Sequence, residues 1–178
     1  MAILPTTLKD INVPKVFIGE SVLSLVSQEK YLGYIVNSTG CDNESIRKEM
    51  RAVYARGNLL LRHFRSCSEE VKKRLFMSYC SSFYCSSLWA NYSNSVLRAL
   101  HVAHNNVFRS FCGLPIRGSV SLNFVRRTVP NFPVIRRRLV CSMYRRTLYS
   151  QNALIFTLVH SGYFTTSRIY IEWTRICF

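Results

Sequence analysis

The chain reads as an α+β protein, mainly α: a short antiparallel β-hairpin or three-strand annex followed by a helical bundle. Three observations carry that reading. Apolar residues alternate with period 2 up to about residue 37, then recur with period 3.6 after Asp42. Cap and stop residues punctuate the second part. Hydrophobic residues make up 48% of the 178, enough to bury one sizeable core and too many for wholesale disorder.

Pro14 to Ile18, then Gly19-Glu20, then Ser21 to Val26 predict a β-hairpin. Glu29 to Ser38 predicts a third strand. Tyr31, Gly33 and Ile35 alternate with Leu32, Tyr34 and Val36, so both faces are apolar and both need covering. Gly33 in its middle points to close approach by another backbone or a ligand. Three strands cannot stand alone, so this part reads as a piece of a larger sheet.

Asp42 or Asn43 caps a first helix, with Ile46, Met50, Val53, Leu60 or Leu61, and Phe64 on one face. Gly57 falls on that face, where it lets a neighbouring helix come close. Ser68, with Glu69 and Glu70 in the first turn, opens a second helix carrying Val71, Leu75, Phe76, Tyr79 and Phe83. Ser93 or Asn94 starts a third, with Val96, Leu100, Ala103, Val107 and Phe111 on one side; Gly113-Leu114-Pro115 stops it. Asn131 and Pro133 begin a fourth that runs to about Ser150. Its apolar stripe is Phe132, Ile135, Leu139 and Met143, with Arg137, Arg138 and Arg145 roughly opposite. Ala153 to His160 reads as a short helix, and Arg168 to Phe178 as helix or strand.

Charge is unevenly placed. Residues 1–70 carry nine Lys or Arg against eight acids; residues 71–178 carry fifteen against one, Glu172. A segment with a net charge of +14 cannot neutralise itself internally, and nucleic acid is the natural counter-charge. The basic clusters are Lys72-Lys73-Arg74, Arg126-Arg127, Arg136-Arg137-Arg138 and Arg145-Arg146. Arginine suits phosphate through its fork of donors, and nothing in these clusters indicates base readout. The bland reading of the same residues is a solvated helix face.

Seven cysteines is an odd count, and Met1 to Thr7 has neither a basic start nor a long apolar run. Reduced cysteines in an unsecreted protein of nucleus or cytoplasm are therefore expected, not a disulfide framework. Residues 75–97 and 147–167 lack charged side chains and are long enough to span a bilayer. Their many hydroxyls and amides suit a bundle interior or a loop better than lipid. His101, His104, Cys80, Cys85 and Cys112 lack zinc-ligand spacing, so no metal site is expected.

Lys30-Tyr31-Leu32-Gly33 resembles a segment of non-LTR (LINE-type) retrotransposon reverse transcriptases, at the end of the palm just before the thumb. The resemblance continues in Leu97-Arg98-Ala99-Leu100-His101-Val102-Ala103-His104-Asn105-Asn106-Val107-Phe108-Arg109, in Gly113-Leu114-Pro115 and in Val129-Pro130-Asn131-Phe132. It covers the chain from about Val16 onward. It implies a remnant of the palm sheet over residues 1–40, thumb-like helices over 41–113 and a basic helical extension over 114–178. Tyr31, Leu32 and Gly33 would then be a primer grip; the bland reading is an ordinary strand closing palm onto thumb.

Polymerase chemistry needs two metal ions held by aspartates. This chain has only Asp10 and Asp42, which are not adjacent. The resemblance places the catalytic turn, with its magnesium, upstream of Met1, so the chain alone is expected to be inactive and to carry no cofactor. The expected function is a nucleic-acid-gripping fragment of an RNA-directed DNA polymerase. Its partners would be RNA, DNA or an RNA–DNA duplex, and the missing fingers and palm. Open alternatives are a stand-alone basic RNA- or DNA-binding module, a small membrane protein, and a remnant without function.

Overall fold

A two-stranded hairpin, β1 (Phe17–Ile18) and β2 (Ser21–Val22), pairs Phe17 with Val22 and Ile18 with Ser21. Gly19 supplies the positive φ its two-residue turn needs. The computed structural model describes residues 14–115 and 118–178; the expectations on Met1 to Thr7 and on Asp10 lie outside the described residues.

The next segment corrects an expectation. Tyr31 to Val36 is not one strand but the tip of a second hairpin, β3 (Gln28–Tyr31) and β4 (Tyr34–Asn37), with Tyr31 opposite Tyr34. Leu32 and Gly33 form the turn, and both have positive φ, as a type I′ turn requires. The three-strand annex is therefore two separate two-stranded sheets. What comes close to Gly33 is a side chain, not the expected backbone or ligand: a Cβ there would lie 3.1 Å from the Tyr84 ring.

The helical body follows. Helix α1 (Asn43–Phe64) buries Ile46, Val53, Gly57 and Leu60 along one face. Asp42 precedes it without capping it by its side chain. Helix α2 (Glu69–Cys80) is shorter than expected. Val71 and Tyr79 are exposed, Phe76 and Cys80 are buried, and Phe83 packs from the loop beyond. After a 3-10 turn at Ser86–Leu88 comes α3 (Asn94–Phe111). It buries Leu100, Ala103, Val107 and Phe111 on the expected side, and His104 and Phe108 beside them. Gly113, at φ 64°, ends it; Leu114 N–H reaches back to Arg109 O at 2.9 Å, a Schellman stop. Gly57 meets Val107 where α1 packs on α3, so closely that a Cβ would lie 2.4 Å from Val107 Cγ1.

Helix α4 (Val120–Arg126), which the sequence reading lacked, is capped by Ser119 and buries Phe124. Helix α5 (Phe132–Leu148) starts at the Asn131 cap, whose side chain accepts from Val134 N–H. Helices α6 (Ala153–Val159) and α7 (Arg168–Cys177) complete the chain, settling its end as helix.

Two apolar cores result. The larger joins α1, α2, α3 and α4 and runs past residue 113 into Phe132 and Ile135 of α5. The smaller, around Val140, Phe164 and Trp173, joins the far half of α5 to the segment ending in α7. Among the described residues no helix is long and apolar enough to cross a membrane. The two uncharged stretches are broken by the 3-10 turn and by the loops around α6.

Candidate nucleic-acid interface

Helix periodicity places Asn94, Leu97, Arg98 and His101 on one face of α3. The first two turns of α5 present Phe132, Pro133, Arg136 and Arg137, and the last turn of α7 presents Arg175 and Ile176. These side chains line a cleft of about 500 Å³. Its wall is partly apolar, with the His101 ring stacked on Phe132 at 5.4 Å. Four guanidinium groups line it, and Glu172, outside the lining, pairs with two of them.

Glu172 is the hub. Its Oε1 accepts from Arg136 and Arg175, each at 2.8 Å, and its Oε2 accepts from Arg175 Nε at 2.8 Å. The Tyr92 hydroxyl donates to Oε1 as well. Burial alone would raise the Glu172 carboxyl, but the bonds from Arg175, Tyr92 and Arg136 outweigh it and hold it below its ordinary value. The Glu172 contact in turn holds Arg175 more firmly protonated. Arg136 lies 5.0 Å over the Tyr92 ring and is 7% exposed; its buried Nε has no hydrogen-bond partner.

Arg136, expected among the phosphate contacts, is the inward member of a buried ion pair. Arg137 stays exposed and donates to Cys177 O at 2.8 Å. Arg98 is exposed, and among the described residues no carboxylate pairs with it. Net positive charge therefore remains in the cleft.

The other clusters gather elsewhere. Glu69 on α2 pairs with Arg127 at 2.9 Å and with Lys72 at 3.7 Å, which brings two expected clusters together but partly neutralises them. Lys73 donates to Thr128 Oγ1 at 2.8 Å, and Arg74 pairs loosely with Glu70 at 3.4 Å. Arg126, Arg145 and Arg146 are exposed. Arg138 lines a second groove, with Met77, Phe124 and Val134, whereas Arg137 lines the main cleft. The expected single face of Arg137, Arg138 and Arg145 is therefore divided, because adjacent helix residues point about 100° apart.

Tyr31 and Leu32 are exposed at the hairpin tip. Tyr84 donates its hydroxyl to Leu32 O, and Lys48 donates to Gly33 O. Asp42 holds no metal-like position. Its Oδ2 accepts from Ala90 and Asn91 N–H, both at 2.7 Å, and its Oδ1 accepts from the Tyr34 hydroxyl. Among the described residues no group of three or more His, Cys, Asp or Glu could hold a metal ion.

Arg98 and Arg175 escaped the sequence reading because each is solitary. A signal for Arg175 existed: Glu172, the lone acid in the basic half, stands three residues before it. No family model, curated protein or solved structure matches the chain.

Proposed function

We propose that this chain grips the phosphate backbone of RNA, DNA or an RNA–DNA duplex. In this reading it is the C-terminal part of a LINE-type reverse transcriptase whose fingers and catalytic palm, with their magnesium, lie in another segment. One observation carries the binding reading: a cleft of about 500 Å³ lined by four arginines, two of which pair with Glu172 outside the lining. It sits in a half-chain that holds no other acid. Arg98 and Arg137 line it without carboxylate partners among the described residues and suit phosphate oxygens, while Glu172 fixes Arg136 and Arg175 in place. The exposed Val16, Phe17, Ile18 and Val22 of the first hairpin would be covered by the missing palm. The site of action would be nucleus or cytoplasm.

The test is the salt dependence of binding to a fluorescent RNA hairpin. In a variant with Arg98→Gln and Arg137→Gln, the slope of log affinity against log salt is expected to shrink by roughly one and a half to two units, close to one per lost phosphate contact. The loss should be similar across RNA sequences. Unaltered helix content by circular dichroism separates lost contact from lost fold. An unchanged slope would return both arginines to the solvated face.

A further inference from the structure

Helix α5 carries Arg137, Cys141 and Arg145 at four-residue spacing, hence along one stripe. Against that stripe lies the last turn of α7. Arg137 donates to the Cys177 carbonyl oxygen at 2.8 Å, and the sulfurs of Cys141 and Cys177 are 2.6 Å apart. Both residues are partly exposed, so a small oxidant reaches them. The other five cysteines, Cys41, Cys67, Cys80, Cys85 and Cys112, have no such sulfur partner among the described residues.

We propose that Cys141 and Cys177 are a redox-modification site: a dithiol that a peroxide converts to a disulfide, stapling α7 to α5. The chemistry balances with hydrogen peroxide as the oxidant. One thiol loses its proton, and the thiolate attacks a peroxide oxygen. An S–O bond forms, the O–O bond breaks, and the departing oxygen leaves as water, giving a sulfenic acid. The second thiolate then attacks that sulfur; the S–S bond forms, the S–O bond breaks and a second water leaves. Two thiols lose one electron each, and one peroxide is reduced to two waters. Burial and the neighbouring Cys141 push the Cys177 thiol up to about 11 against the pull of the Arg137 and Arg145 guanidinium groups. The thiolate the reaction needs is therefore scarce at neutral pH, and crosslinking should speed up as pH rises.

The staple has a clear mechanical effect. Apart from its packing, α7 is held by the Glu172 ion pairs, by the Trp173 indole donating to Ser87 O at 2.6 Å, and by the Arg137 contact. A covalent link at its last residue removes the fraying that helix ends otherwise undergo. It also fixes α7 and α5, two walls of the arginine cleft, against each other. None of this depends on what the cleft binds.

The experiment uses the full chain, reduced and then treated with one equivalent of hydrogen peroxide. Intact mass should fall by two hydrogen atoms. Trypsin without reductant should release the peptide Leu139–Arg145 linked to the one beginning at Ile176. Cys141→Ser and Cys177→Ser should each abolish that product, while Cys67→Ser leaves it unchanged. Hydrogen exchange of the α7 amides should slow by about tenfold or more on oxidation. Linkage through any other cysteine pair, or oxygen addition without a crosslink, would overturn the proposal. So would a crosslink that leaves α7 exchange unchanged.

Discussion

The two cores are held by different means. The larger is closed by aromatic and aliphatic packing: Phe76 meets Phe108 edge-on at 4.9 Å, and Phe108 stacks on Phe124 at 4.0 Å. Its one buried ionisable ring, His104, is fully enclosed with both nitrogens unpartnered. The smaller core has three buried apolar residues and leans on charge: the Arg136–Glu172 pair and Arg175 tie α7 to α5 and to Tyr92, which packs against the larger core. A core with little apolar area to bury depends on each polar contact. A core with much of it tolerates an unsatisfied histidine, provided the ring stays neutral.

The largest effect should come from Glu172→Gln. It leaves the Arg136 guanidinium buried without its counter-charge, at a cost of roughly 3–5 kcal/mol. That loss should fall on the smaller core alone. Hydrogen exchange resolved by segment should show α7 and the far half of α5 opening first, with α1 and α3 protected as before. Uniform loss across both cores would show that they unfold as one.

Acid should single out the other core. Burial, with His101 nearby, lowers the His104 ring from 6.5 to about 3. Between those values the unfolded chain binds a proton that the folded chain refuses, so stability falls as pH drops through that window. The slope approaches about 1.4 kcal/mol per pH unit. Glu172 has the opposite shift; its contribution is complete above about 4.5, its ordinary value, and is lost only as pH falls below that. Between pH 6.5 and 5, then, only the larger core should weaken. Urea titrations across that range should show the slope, and His104→Leu should reduce it to what the His101 ring contributes, which burial also lowers. A slope undiminished by this substitution would assign the acid sensitivity elsewhere.

The smallest of the three effects probes packing. Gly57→Ala places a methyl where Val107 already sits. Overpacking costs roughly 1–3 kcal/mol, offset by about 1 kcal/mol of helix propensity. A net loss near 1 kcal/mol is expected in urea, with recovery when Val107→Ala is added. A neutral or stabilising Gly57→Ala would mean that the α1–α3 contact has slack.

Most of the larger core was legible. Caps, stops and the 3.6-residue period mark α1, α3 and α5, and Gly57 on the apolar face marks the close approach of α1 and α3. The Tyr31 hairpin was missed because an apolar residue, Leu32, occupies the first turn position where Asn or Asp usually announces a type I′ turn. With no polar break, two short strands read as one. Helix α4 is seven residues long, too short to establish a period. The candidate site was half legible. A run such as Arg136-Arg137-Arg138 looks uniform in sequence, yet helix geometry sends the three in different directions. Arg136 shares the side of Phe132 and Val140 and goes inward. Only the position of Glu172, far along the chain, decides that it can.

Asp42 ties together parts of the molecule that are distant in sequence. Its carboxylate binds the second hairpin through Tyr34, sits at the start of α1, and takes the amides of Ala90 and Asn91 just ahead of α3. A chain cut before residue 90 would retain the hairpin and α1 but lack both amides. The charge would then have no main-chain donors to face, and the hairpin would be left to its contacts with Asp42, Ser45 and Lys48. In assembly terms, the latch on the second hairpin is completed by a later part of the chain, the segment leading into α3.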